Sequence, residues 1–263
     1  MIVDYHLHPR RPAEHEETID HTVAAIERYV EAGRGRGVDE LGFTEHVYYF
    51  RQTRRLWTLP YQTERCVYDL DDYVAAVVEA KRQGLPVKLG LEVDWVGPRQ
   101  AELAEILEPY PWDYLLGSVH WLDGLAVDAE PGIWATHAVD DVWRRYWAAV
   151  AGLAATGFVD VLAHPDLAKI FGRRPPDPRP YYPQLSGVAL EISTAGLHKR
   201  VGELYPDAAL LEATRLPITL ASDAHVPDNV GRDLERAVAL ARAAGYETVT
   251  VFDNRVARQE PLG

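Results

Sequence analysis

Ten histidines against one cysteine and one methionine mark this 263-residue chain. Six of them, His6, His8, His46, His120, His164 and His225, sit at the ends of short apolar runs, and Glu92 and Asp223 sit in like positions. Imidazole and carboxylate together make a donor set for divalent zinc, manganese or iron. In His6-Leu7-His8 the two imidazoles alternate along an extended segment, so both point the same way. A lone catalytic zinc takes about three protein ligands and keeps one position open. The candidates exceed that, so two or three ions sharing carboxylates are the economical arrangement. Closely spaced ions acidify a water between them and neutralise an anionic oxygen, which suits phosphoester hydrolysis. The chain offers no competing device: no G-x-S-x-G elbow, no P-loop and no G-x-G-x-x-G. Gly33-Arg34-Gly35-Arg36-Gly37 follows a helical stretch and reads as a helix terminus, and Cys66 reads as a packed thiol.

Such chemistry needs a scaffold that gathers distant strand ends. The runs at residues 2–5, 40–44, 87–93, 114–119, 159–163, 187–192, 218–221 and 248–252 are rich in Val, Ile and Leu, and most are bounded by Gly, Pro or Asp. Between them, helical periodicity predicts helices over 18–36 (opened by a Thr18 cap), 71–83, 139–155, 208–215 and 230–244. Alternating strands and helices imply a parallel sheet with helices outside. Seven or eight units in this length point to a TIM-type barrel, with a doubly wound open sheet as the alternative. In a barrel all the strand C-termini face one mouth, where active sites of this fold gather. Two long irregular segments, 47–68 and 171–184, are expected to cover that mouth.

Composition narrows the partners. The chain carries 27 Lys+Arg against 40 Asp+Glu, a net charge of −13, and is 47% hydrophobic. It is expected to be one soluble domain over 1–263, in the cytoplasm, binding neither membrane nor nucleic acid. A single cysteine excludes an intrachain disulfide and any multi-cysteine zinc site.

The set Asp4-Tyr5-His6-Leu7-His8, Phe43-Thr44-Glu45-His46, Gly90-Leu91-Glu92, Gly117-Ser118-Val119-His120-Trp121, His164-Pro165-Asp166-Leu167 and Ser222-Asp223-Ala224-His225 resembles the PHP (polymerase and histidinol phosphatase) family. Glu191-Ile192-Ser193-Thr194-Ala195-Gly196-Leu197, Tyr205-Pro206 and Leu167-Ala168-Lys169-Ile170-Phe171-Gly172 resemble its histidinol-phosphatase branch. The resemblance implies a distorted (β/α)7 TIM-like barrel with the metal site at the C-terminal ends of the strands. It implies one ion on His6, His8, Glu92 and Asp223, and a second on Glu92, His120 and His164. A third would take His46 and His225 with a ligand from the first loop, assigned here to His15, with Glu14, Glu16 or Glu17 as substitutes. His21 and His137 are expected at the surface.

The expected reaction is hydrolysis of a phosphomonoester, L-histidinol phosphate, by a metal-bridging hydroxide, with Asp223 or His225 protonating the leaving alkoxide. Lys169, Lys199 and Arg200 are the candidate phosphate contacts, and Glu191 the candidate for a substrate ammonium group. Other readings are a PHP phosphoesterase with a different phosphomonoester or phosphodiester, an amidohydrolase-type metal hydrolase, and a non-catalytic metal-binding domain. Glu92 on the third strand, with His46 and His225 in addition, favours the PHP reading over the amidohydrolase one.

Overall fold

The computed structural model describes residues 1–10 and 19–263. In chain order the elements are β1 (Val3–Leu7), α1 (Val23–Gly35), β2 (Glu40–Phe43), α2 (Pro60–Arg65), α3 (Leu70–Arg82), β3 (Val87–Leu89), β4 (Glu92–Asp94) and α4 (Gln100–Leu107). There follow β5 (Leu116–Ser118), β6 (Trp121–Leu122), β7 (Leu125–Ala126), α5 (Val139–Ala155), β8 (Val161–Leu162), β9 (Ala189–Ser193), α6 (Ala208–Thr214), β10 (Ile218–Ala221), α7 (Leu234–Ala243), β11 (Thr248–Asp253) and β12 (Val256–Pro261).

Parallel pairing runs β1-β2-β3 in one arc and β4-β5-β8-β9-β10 in another. Two seams close them into a ring. At one, Leu7 pairs with Ala224; the His8 N–H donates to Ala224 O at 2.9 Å and the Ala224 N–H to His6 O at 3.2 Å. At the other, His46 pairs with Glu92, whose N–H donates to Glu45 O at 3.1 Å. Because β3 and β4 are halves of one strand broken at Gly90-Leu91, the ring has seven strands. The expected distorted barrel is what forms. Every residue of β1, β9 and β10 is buried, as parallel strands between a packed interior and outer helices must be.

The outer helices follow from caps and stripes. In α1 the Thr22 hydroxyl accepts the Ala25 N–H at 3.2 Å, and Ile26, Tyr29, Val30 and Gly33 form the buried face. The cap is therefore Thr22, four residues past the expected one. In α3 Asp69 caps the first turn, Asp71 and Asp72 lie at the positive end of the helix dipole, and Lys81 and Arg82 at the negative end.

Inside the ring the Tyr114 hydroxyl donates to Tyr5 O at 2.6 Å, and its ring lies 5.0 Å from that of Tyr5 and 5.5 Å from that of Phe252. Gly42 and Gly90 leave room for it: a Cβ at either would overlap Tyr114. The eighth expected strand does not join the ring. As β11 it pairs antiparallel with β12. This hairpin caps the N-terminal end, tied by Lys88–Asp253 at 3.1 Å and Arg255–Asp160 at 2.5 Å. The opposite end is left to the loops. Residues 47–68, expected to be irregular, hold short 3-10 turns and α2, while 171–184 contains only the turn Arg179–Tyr181.

Candidate metal centre

The strand ends converge as their positions require. Glu92, buried at the start of β4, is the centre. Its Oε2 lies 2.5 Å from His46 Nδ1, 3.6 Å from His6 Nε2 and 3.8 Å from His8 Nε2. Its Oε1 lies 3.2 Å from His164 Nε2 and 3.5 Å from His120 Nε2. Asp223 Oδ1 faces the first pair again, 3.6 Å from His6 Nε2 and 3.4 Å from His8 Nε2. Ligands held at about 2.0–2.2 Å around a tetrahedral ion stand about 3.3–3.6 Å apart. Apart from the 2.5 Å contact with His46, the spacings suit edges of a coordination shell.

Hydrogen bonding carries the same message. His6 Nε2 and His8 Nε2 are buried without a hydrogen-bond partner, and Glu92 Oε2 and His46 Nδ1, equally buried, face only each other at 2.5 Å. Buried polar atoms are normally satisfied, so a cluster of orphans at one point calls for a cation. Three groups of donor atoms lie close enough to share an ion: His6, His8 and Asp223; His6, Glu92 and His164; and His8, His46 and His225. The candidate His15, with Glu14, Glu16 and Glu17, lies outside the described residues.

The other ring nitrogens are held by carboxylates. His6 Nδ1 bonds Glu191 Oε2 at 2.8 Å, His8 Nδ1 bonds Glu45 Oε1 at 3.1 Å, and His120 Nδ1 bonds Asp94 Oδ1 at 2.7 Å. A carboxylate on Nδ1 fixes the tautomer and turns Nε2 inward as a donor, the usual support behind a metal-bound histidine. The family motifs assign no role to Glu45 or Asp94. The signal was available: each flanks a ligand on its own strand end.

Electrostatics set the charge states. Burial works against ionised Glu92 and Asp223, but the surrounding histidines outweigh it and hold both carboxyls well below their usual range. Burial pushes His46 down to about 4, keeping it neutral. For His120 burial is outweighed by Asp94 and Glu92, which raise it to about 10.

Turns at the mouth depart from ordinary backbone. Asp223 has φ +55° and His164 φ +26°, a region that costs a non-glycine residue of order 1–3 kcal/mol. Buried Asp4 secures the first of these, accepting the Ser222 N–H at 2.8 Å, the Ser222 hydroxyl at 2.5 Å and the Gly231 N–H at 2.7 Å.

Above the cluster lies a cavity of about 640 Å³, lined by His46, Glu92, His120, His164, Asp223 and His225, and further by Arg10, Tyr48, Tyr61, Trp121, Asp128 and Lys199. Several candidate substrate contacts are not there. Lys169 is fully buried, its Nζ 2.8 Å from Asp166 Oδ2 and donating to Leu204 O at 2.7 Å. It cannot reach a ligand in the mouth. Glu191 is likewise closed off, with one oxygen on His6 and the other accepting the His164 N–H at 3.0 Å. It holds the candidate ligands His6 and His164 and does not face the cavity. Arg200 is exposed and pairs with Glu130 at 3.1 Å, outside the cavity lining. His21 is also not a surface residue: its side chain is 6% exposed, 3.5 Å from Glu45 and stacked on Phe50. His137 is half-buried and shares a hydrogen bond with Thr136. Cys66 is buried and donates to Tyr48 O at 2.9 Å.

Comparison with known proteins adds three findings. Residues 4–200 match the PHP domain. The chain is 32% identical to a probable histidinol-phosphatase of Deinococcus radiodurans, over 95% of this chain and 96% of that one. It is 24% identical to a probable histidinol-phosphatase of Clostridium acetobutylicum, over 97% and 98% of the two. Among solved structures it resembles the histidinol phosphate phosphatase of Lactococcus lactis, crystallised with zinc, L-histidinol and phosphate. That match has a TM-score of 0.69 at 20% identity and covers 98% of each chain.

Proposed function

The chain belongs to the PHP domain family, and from that premise we propose that it is a metal-dependent histidinol-phosphatase, releasing phosphate and L-histidinol from L-histidinol phosphate. We take residues 1–263 as the one domain that does this. We place it in the cytoplasm, in keeping with its unpaired buried thiol. No helix among the described residues is long and apolar enough to cross a membrane.

One observation carries the reading: Glu92 is enclosed by imidazole nitrogens, most of them at coordination-shell spacings, and the inward nitrogens of His6 and His8 are buried with no hydrogen-bond partner. We assign two or three divalent ions, zinc, manganese or iron, to this cluster. His6, His8, Glu92 and Asp223 would hold one, and Glu92, His120 and His164 a second. His46 and His225, with His15 or a neighbouring Glu, would hold the third. Bound there, such ions supply an acidified water and positive charge for the phosphoryl oxygens.

The chain's own groups do the rest. Glu191, Glu45 and Asp94 hold the Nδ1 protons of His6, His8 and His120 and so fix which nitrogen faces the cluster. Lys199 offers a cation to the phosphate from the cavity wall. Asp223, held ionised, and His225, with Oδ1 and Nδ1 3.6 Å apart, stand at the more open side, where either would accept a proton from the attacking water and pass it to the leaving alkoxide.

The test is metal analysis coupled to phosphate release from L-histidinol phosphate and a panel of phosphomonoesters. Turnover highest with L-histidinol phosphate supports the proposal. A metal-loaded protein that frees phosphate from none of them sinks it, and a clear preference for another ester replaces the substrate.

A further inference from the structure

Away from the metal cluster the cavity changes character. Tyr48, Tyr61 and Trp121 form an aromatic wall, with ring centroids 5.2 Å apart for Tyr48–Trp121 and 6.0 Å for Tyr61–Trp121. The wall is continuous with the cluster: Tyr48 stacks on His46 at 4.9 Å, and Trp121 stands edge-on to His120 at 5.5 Å.

Asp128 belongs to the same lining, two residues beyond β7. It is exposed, and among the described residues it makes no hydrogen bond or ion pair. The other carboxylates of the cavity, Glu92 and Asp223, are committed to the imidazoles. Lys199 lines the cavity too, yet is not within ion-pair distance of Asp128. Asp128 is near enough to His120 and Asp94 for its charge to act on both. A carboxylate without a partner and a wall of aromatic faces in one cavity suit a cation and a flat ring as occupants.

We infer that Asp128 and the Tyr48–Tyr61–Trp121 wall form the specificity subsite that receives the ammonium group and the ring of the substrate's alcohol portion. The inference rests on the phosphatase reading above and adds which residues read the alcohol. In L-histidinol phosphate the ammonium is carried on the carbon next to the ester-bearing one, and a methylene joins that carbon to the imidazole. With the phosphate at the metal cluster, both groups fall in the remaining part of the cavity. Asp128 binds the ammonium, and the aromatic wall covers the ring.

Steady-state kinetics on the metal-loaded enzyme test this with three substrates. They are L-histidinol phosphate, its analogue lacking the amino group, and p-nitrophenyl phosphate. Asp128→Asn should raise KM for L-histidinol phosphate by about tenfold or more, with kcat little changed and KM for the two amine-free esters unmoved. Tyr61→Leu should raise KM for the two imidazole esters whether or not the amine is present. An equal effect of Asp128→Asn on all three esters, or no effect on any, overturns the subsite and leaves the phosphatase reading standing. Wild-type turnover of p-nitrophenyl phosphate without turnover of L-histidinol phosphate removes both. Because Asp128 is exposed and unpaired, its substitution should leave Tm unchanged.

Discussion

Replacing Glu92 by Gln keeps the outline of the side chain and removes the charge that the surrounding imidazoles share. The expected result is loss of bound metal, read by elemental analysis, together with a fall in turnover of at least about a hundredfold. Glu45 acts one step back, through His8, so Glu45→Gln should weaken metal affinity by about 10–100-fold while folding is kept. Retained affinity in a chelator competition would show that Glu45 only packs. Cys66 gives a contrasting test. Burial pushes its thiol up to about 11, so at pH 8 a thiol reagent should label it only after denaturant is added, and prompt labelling of native protein would contradict its packing. At this scale the convergence of the candidate strand-end ligands was legible in the sequence, because a His, Glu or Asp closing an apolar strand has one mouth to face. Lys169, Glu191 and His21 were not, since the pattern that places a residue on a segment does not say whether its charge is already matched by Asp166, His6 or Glu45.

At the level of elements, the barrel depends on close approaches that only glycine allows. Gly42→Ala would set a methyl group against Tyr114, whose hydroxyl holds Tyr5 O. Overpacking of this kind costs about 1–3 kcal/mol, a drop of several degrees in Tm. Thr22→Ala removes the α1 cap and should cost about 1 kcal/mol in a denaturant titration; no loss would mean that the first turn is held by packing alone. Periodicity located α5 and β10 at their observed bounds, because both have long or fully buried apolar patterns. It missed α4, α2 and the β6–β7 hairpin, whose short segments lean on neighbours more than on their own pattern. It also counted β11 among the barrel strands. Its apolar residues are those of a buried strand, and only the antiparallel partner β12, mostly exposed, shows that it caps the barrel.

For the molecule as a whole, the net charge of −13 is no obstacle to an anionic substrate. Two or three divalent ions at the mouth would reverse the sign locally, and Arg10 and Lys199 add to it. Because the ions bind only the folded arrangement, chelation should lower Tm, and by more as the metal concentration it removes is raised relative to Kd. An unchanged Tm would show that the cluster contributes nothing to folding. The two seams give that coupling a location. Leu7–Ala224 and His46–Glu92 are where the arcs meet, and candidate ligands stand on both sides of each: His6 and His8 opposite Asp223 and His225, His46 opposite Glu92. An ion there is a rivet between two separately wound sheets. Stripping it should therefore speed amide hydrogen exchange first at His8, Ala224 and Glu92, while the amides within β9 and β10 stay protected. The cluster proposed to hydrolyse the substrate would then also be the clasp of the barrel, and losing metal would loosen the hoop as well as end catalysis.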